Sequence, residues 1–279
     1  MTVHIRTMTT DDLALGQRLS RQAGWNQTEA DWLRLMYFEP EGCFVAELDG
    51  SAVGTTTTCV LDHVAWIAMV LVNEKHRRRG VGTHLLRYAL DHLDSRQVST
   101  IRLDATGLGR PVYETLGFIP EYDLARYQGI APSCPALPTV ADATSDDYPD
   151  IIEFDKMITG TNREKMLIRL FEEFPYGLRT FRLQGKIEGY VTMRPGANAV
   201  QIGPCIASSG AGPVLLYDAL GRCAGKYVFI DIPHDNAGAV KIAESSGLEI
   251  QRCFTRMYRG ERVDDKPEAL WAGSGPEKG

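Results

Sequence analysis

The segment Val70-Leu71-Val72-Asn73-Glu74-Lys75-His76-Arg77-Arg78-Arg79-Gly80-Val81-Gly82-Thr83 constrains the fold of this chain more than any other. An apolar strand runs into a basic turn that carries two glycines, and beyond the turn Val81, Leu85, Leu86, Ala89, Leu90 and Leu93 recur at helical spacing. The spacing predicts a helix from about Gly80, with its amino end aimed at the turn. Unpaired N–H groups and the positive end of the helix dipole favour an anion there, and glycine lets phosphate oxygens approach the backbone. Two familiar phosphate loops do not fit. Thr83 is preceded by Gly82 rather than lysine, and the third glycine of a dinucleotide fingerprint would fall at Leu85.

What remains is Arg-x-x-Gly-x-Gly, read as Arg77, Gly80 and Gly82. It resembles the acetyl-CoA loop of the GNAT-type N-acyltransferases. A second motif, Tyr113-Glu114-Thr115-Leu116-Gly117-Phe118, is similar to the Tyr-Glu-x-x-Gly-Phe pattern that closes the core of that superfamily. Between the two, Ile101 and Leu103 alternate as in a strand, and upstream Asp49-Gly50 separates two strand-like runs as a hairpin signal. The resemblance spans residues 1–130. It implies an α/β (α+β) fold built on a mixed, mainly antiparallel twisted sheet flanked by helices.

Composition narrows the partners. A formal charge of -6, with Arg77 to Arg79 as the only dense basic cluster, argues against a nucleic-acid binder. The six cysteines form no C-x-x-C pair, which indicates neither a zinc site nor a disulfide framework and fits reduced thiols in a cytoplasm. No apolar run reaches the length of a membrane helix, so no membrane partner is expected. His84 and His92 lie eight residues apart on the predicted helix, which is not the spacing of a helical metal pair, and no metal is expected.

The Pro-rich stretch 131–140 reads as an extended linker between domains. After it the plan repeats. Gln184-Gly185 punctuates runs 178–183 and 187–193 as Asp49-Gly50 punctuates the first hairpin, and Gly185 follows Gly50 by the same 135 positions that separate Gly189 from Gly54. Tyr227-Val228-Phe229-Ile230-Asp231-Ile232 reads as a buried strand, and Glu244 to Leu248 echoes Glu114 to Phe118. The expected organisation is therefore two tandem GNAT-like domains: 1–130 catalytic, 131–140 linker, 141–262 degenerate, and 263–279 a flexible or loosely attached tail. The second copy lacks the arginines around Ala207 to Pro213 and has Ala243 where the first has Tyr113. One cofactor per chain is expected. The tandem plan and the segment Gly24 to Trp32 are similar to the YitH-like branch of the superfamily.

The resemblance implies direct attack of an uncharged amine on an acetyl thioester. Backbone groups of Val70, Leu71 and Val72 would pair with the pantetheine arm, and an N–H near Leu71 would face the oxyanion. Arg77, Arg78, Arg79, Gly80, Val81, Gly82 and Thr83 would cradle the pyrophosphate. Tyr113 is the candidate general acid for the departing thiolate, because a phenol is protonated at neutral pH. Relatives often place an asparagine where Thr106 stands and some place a glutamate where Ile101 stands, so the Thr106 contact is altered and that base is missing. Asp104 is the first choice of base, with a strand-end capping role as its alternative. Asp62 and His63 are weaker substrate candidates against a plain polar hairpin turn. Trp25 is a candidate wall of the acceptor pocket, whereas Trp32 and Tyr37 fit helix packing better.

The expected activity is transfer of an acetyl group from acetyl-CoA to a primary amine of a small molecule or amino acid, by a monomer or homodimer. Protein N-acetylation, or non-catalytic acyl-CoA binding as a sensor or scaffold, are the alternatives.

Overall fold

The computed structural model describes residues 2–135 and 138–277. The first half runs β1 (Val3–Thr7), α1 (Leu13–Gln22), α2 (Glu29–Phe38), β2 (Cys43–Leu48), β3 (Ser51–Leu61), β4 (Val64–Val72), α3 (Val81–Ser95), β5 (Thr100–Ala105), α4 (Arg110–Thr115) and β6 (Ile119–Ile130). The second half repeats that order as β7 (Val140–Asp142), α5 (Tyr148–Thr159), α6 (Glu164–Glu173), β8 (Arg179–Leu183), β9 (Lys186–Arg194), β10 (Val200–Ala207), α7 (Gly212–Arg222), β11 (Tyr227–Pro233), α8 (Ala237–Ser245) and β12 (Glu249–Gly260). A short β13 (Leu270–Ala272) follows.

Local chemistry accounts for the landmarks. Asp49 and Gly50 both take positive φ, 50° and 77°, as do Gln184 and Gly185 at 51° and 82°, which is the turn that matches strand twist in a two-residue hairpin. In α3 the side chains of Val81, Leu85, Leu86, Ala89, Leu90 and Leu93 are all buried, on the face predicted from their spacing. Each larger one contributes roughly 1.5–3 kcal/mol relative to exposure.

The two halves share one 13-stranded sheet, in the order β1-β2-β3-β4-β5-β12-β6-β11-β10-β9-β8-β7, with β13 on β10. Among the described residues only β4·β5 and β10·β11 are parallel. The last strand of each half has crossed over: β12 lies between β5 and β6, pairing Thr255 with Ala105 through Gly260 with Thr100, and β6 pairs Tyr227 through Pro233 of β11. The halves therefore complete each other's sheets, whereas the sequence reads as two self-contained domains. Helices α1 and α2 share one apolar core with α5 and α6, another seam across the repeat.

The expected linker has no regular structure over residues 131–135; Ala131 anchors its start, donating to the Lys226 carbonyl at 2.9 Å and accepting from the Gly225 amide at 3.0 Å, and its last residue, Val140, already belongs to β7. Ala136 and Leu137, in the same expected linker, lie outside the described residues. Contrary to expectation, the segment from Val263 is not loosely attached through Glu277. Val263, Leu270, Trp271, Ala272, Ser274 and Glu277 are buried, because β13 pairs with β10 and the Gly273 amide donates to the Asp231 carbonyl at 2.7 Å. Lys278 and Gly279 lie outside the described residues.

Candidate active site

Strands β4 and β5 pair only from Val64–Trp66 to Thr100–Arg102 and then separate. A bulge opens the gap: Thr55 and Thr57 of β3 face Leu71 and Ala68, so β4 carries an extra residue, and Met69 is held at φ 51° within it. A positive φ at a buried methionine is a strained conformation that only surrounding structure maintains. Beyond the bulge the β5-facing edge of β4 has no strand partner. Ile67 to Val72 line a cavity of about 970 Å³ there.

One wall of the cavity is the glycine turn. Asn73 accepts from the Lys75 amide at 3.0 Å, Arg77 Nε donates to the Val72 carbonyl at 3.1 Å, and Arg78 and Gly80 take φ of 61° and 78° to swing the chain into α3. Gly80 is the N-cap, so the amides of the first turn of α3 lack intrahelical partners. Arg77, Arg78, Gly80, Val81, Gly82 and Thr83 all line the cavity. Arg79 does not.

A second wall comes from the β5–α4 connection. Thr106 lines the cavity and closes its own turn, its carbonyl accepting from the amides of Gly109 and Arg110, each at 2.9 Å. Tyr113 stands edge-on to Phe118, with ring centroids 6.0 Å apart, and its ring passes so near Gly109 that a Cβ there would lie 2.8 Å from it. Removal from water pushes the Tyr113 phenol up to about 12, and its hydroxyl has no hydrogen-bond partner among the described residues. It is a protonated donor facing the cavity.

Asp104 also reaches the cavity, but not as a free base. Its side chain is 1 % exposed and takes a bidentate pair from Arg256, at 2.8 and 2.9 Å, a residue that β12 brings from the other half. The Arg256 guanidinium sits between Trp66 and Tyr122, 4.7 and 5.2 Å from their centroids, and donates to the Tyr122 hydroxyl at 2.6 Å. Both carboxylate oxygens of Asp104 are committed to Arg256, so the geometry does not present it as an unpaired base. Asp62 and His63 are misplaced as well: they pair with each other at 3.1 Å in the exposed β3–β4 turn, at the opposite end of β4 from the cavity.

Trp25 lines the cavity, while Trp32 is fully buried against Gly16 and Tyr37 is exposed. The wall beside Trp25 has no signature in the sequence. It comprises Gln22 and Gln27 from the first half, Arg126 from β6, Arg252 and Phe254 from β12, and Glu277 from the tail. Glu277 is fixed by Gln27 and by Arg194 of β9, at 3.2 and 3.1 Å, and Arg194 pairs in turn with buried Asp31 at 2.8 Å. No local pattern marks these residues, because strand exchange and the returning tail bring them in.

The second half has the corresponding gap, and the chain itself fills it. Strands β10 and β11 pair only through Val200–Ile202 and Val228–Ile230. Past that point β13 lies in the opening, and Trp271 Nε1 donates to the Ala207 carbonyl at 3.2 Å. The indole covers Gly212 so closely that a Cβ there would fall 1.8 Å from the ring. Ala243, at the Tyr113 position, is buried.

The splayed parallel pair, the glycine turn at a helix amino end and the repeated plan define an acyltransferase class. Residues 10–118 match the model of the acetyltransferase (GNAT) family and residues 151–272 that of an acetyltransferase (GNAT) domain, and the chain belongs to this family as a tandem, acyl-CoA-dependent member. It is 27% identical to the holothin acyltransferase of Pseudoalteromonas sp. (strain SANK 73390), over 91% of this chain and 87% of that one. It is 26% identical to the uncharacterized N-acetyltransferase YitH of Bacillus subtilis (strain 168), over 78% of each chain. A putative acetyltransferase from Pyrococcus horikoshii shares the fold with a TM-score of 0.85 and 24% identity, over 99% of this chain and 96% of that one.

Proposed function

We infer that this protein transfers an acetyl group from acetyl-CoA to the primary amine of a small molecule, with one catalytic site, in the first half. The observation that carries this reading is the asymmetry of the two gaps. The β4–β5 gap is open and joins the glycine turn to Tyr113, whereas the β10–β11 gap is occupied by Trp271.

The residues present suit acetyl-CoA. The unpaired edge at Val70, Leu71 and Val72 offers strand-like hydrogen bonds to the amides of a pantetheine arm. The amides from Arg78 to Thr83 and the Arg77 and Arg78 side chains suit a pyrophosphate, and Thr106 adds a hydroxyl to the wall. A thioester bound there supplies the activated acyl carbon. Tyr113 would give its proton to the sulfur as the new C–N bond forms and the C–S bond breaks, and would recover it from solvent. The carboxylates lining the cavity, Asp104 and Glu277, are both held by arginines. Neither is available to take the amine proton of the acceptor. Walls supplied by β12 and the tail suit a small acceptor better than a polypeptide.

The test is thiol release from acetyl-CoA across a panel of amines. Release that depends on Tyr113 is the expected result. Tight acetyl-CoA binding without release for any amine would instead favour a binding protein.

A further inference from the structure

We propose that the acceptor carries a carboxylate besides its amine, and that Arg252 is the residue that binds it. This rests on the transferase reading above and gives the acceptor end of the cavity its chemistry.

Three adjacent strands place Asp231, Arg126 and Arg252 in one cross-strand row: Asp231 of β11 is opposite Arg126 of β6, and Arg126 is opposite Arg252 of β12. Residues directly opposite share a face, so two cations stand side by side at the cavity wall, an arrangement that is unfavourable on its own. The single carboxylate of the row is already used. Asp231 takes a bidentate pair from Arg126, at 2.7 and 2.8 Å, and a further bond from Gln201 at 3.3 Å. Phe229 and Phe254 cover the Arg126 guanidinium at 5.0 and 5.9 Å and hold it in that pairing.

Arg252 has no carboxylate partner among the described residues. Its guanidinium donates to the Ala23 carbonyl at 3.3 Å, at the end of α1 and beside Trp25, and it lines the cavity. Most donors of its fork are left for a ligand. Burial, and then the charge of Arg126, pull the guanidinium below its ordinary value, and the nearby Asp231 carboxylate, already bonded to Arg126, does not offset them. The other buried arginines near the cavity, Arg126, Arg194 and Arg256, each have a carboxylate from the protein. A planar fork with free donors suits a carboxylate. The Ala23 carbonyl holds it at the end of α1, whereas the glycine turn leads from β4 into α3. An amino acid brings both the amine and the anion that this arrangement requires.

The experiment compares α-amino acids with their carboxamides as acceptors in the wild type, Arg252→Gln and Arg252→Lys, with acetyl-CoA affinity measured separately. The expected wild-type result is a kcat/KM for acids about 10- to 100-fold above that for amides. Arg252→Gln should remove this preference by raising KM for the acid alone, and Arg252→Lys should restore part of it. Because the unliganded protein loses a like-charge pair, Arg252→Gln should also raise the thermal midpoint by about 1–4 °C. A merely structural role through Ala23 would lower it. Equal use of acids and amides, or a change in acetyl-CoA affinity rather than acid KM, overturns the proposal and leaves the transferase reading standing. No thiol release with any amine counts against both.

Discussion

Trp271→Ala should be among the most destabilising single changes in the chain, although the residue lies in a segment whose sequence reads as a tail. Trp271 is 4 % exposed. A tryptophan buries about 200 Å², which at about 25 cal/mol/Å² corresponds to about 5 kcal/mol. Alanine keeps the Cβ, and the unfolded chain already shields part of the ring, which lowers the figure. The vacated space cannot close easily, because the indole is seated on the backbone at Gly212 and Gly238, where added Cβ atoms would approach it to 1.8 and 2.8 Å. Measured tryptophan-to-alanine losses of about 3–5 kcal/mol are the appropriate guide, and the orphaned Ala207 carbonyl adds about 1 kcal/mol. Urea denaturation of the two proteins should therefore differ by about 4–6 kcal/mol, out of a total of about 5–15 kcal/mol for a typical fold. Gly212→Ala should act in the same direction, because its Cβ collides with the ring. A loss below about 1 kcal/mol for Trp271→Ala would refute the idea that the tail fills the second gap.

Tyr113→Phe should lower kcat about 100-fold with little change in acetyl-CoA affinity; unchanged turnover removes the tyrosine from the mechanism. With its phenol held up to about 12, the wild type should show no loss of rate between pH 8 and 10 from deprotonation of this acid, a profile read directly from kcat against pH. The raised value also stabilises the fold below the ordinary phenol value of about 10, and that contribution disappears as pH rises from there to about 12, so Tyr113→Phe should flatten alkaline denaturation in that window. Expressed without the second half, residues 1–135 should show no cooperative thermal transition, because β5 loses β12 and β6 loses both neighbours. A transition like that of the intact chain would contradict the shared sheet.

The parts legible in the sequence are those that local chemistry determines. The period of α3, the hairpins at Asp49-Gly50 and Gln184-Gly185, and the glycine turn follow from propensity, turn geometry and apolar spacing within a few residues. The repeat was visible as a common offset. What the sequence did not disclose is long-range. Strands β6 and β12 have the same alternation whichever half they pair with, so their exchange leaves no local trace, and it is this exchange that gives Asp104 its partner Arg256 and brings Arg252 to the cavity. The tail departs from its composition for a related reason. Gly273-Ser274-Gly275-Pro276 has the composition of a flexible end, yet small residues are also what a chain needs to pass closely between other backbones, and a Cβ on Gly203 would fall 2.1 Å from the Gly273 carbonyl.

The central claim, one acetyl-CoA site per chain and that site at the glycine turn, is tested most directly by calorimetric titration of the intact protein with acetyl-CoA. One equivalent should bind, and Gly82→Asp should abolish binding while leaving the fold intact, since the nearest atom to an added Cβ is Val72 Cγ2 at an ordinary 3.7 Å. Two equivalents, or undiminished affinity in Gly82→Asp, would contradict the account.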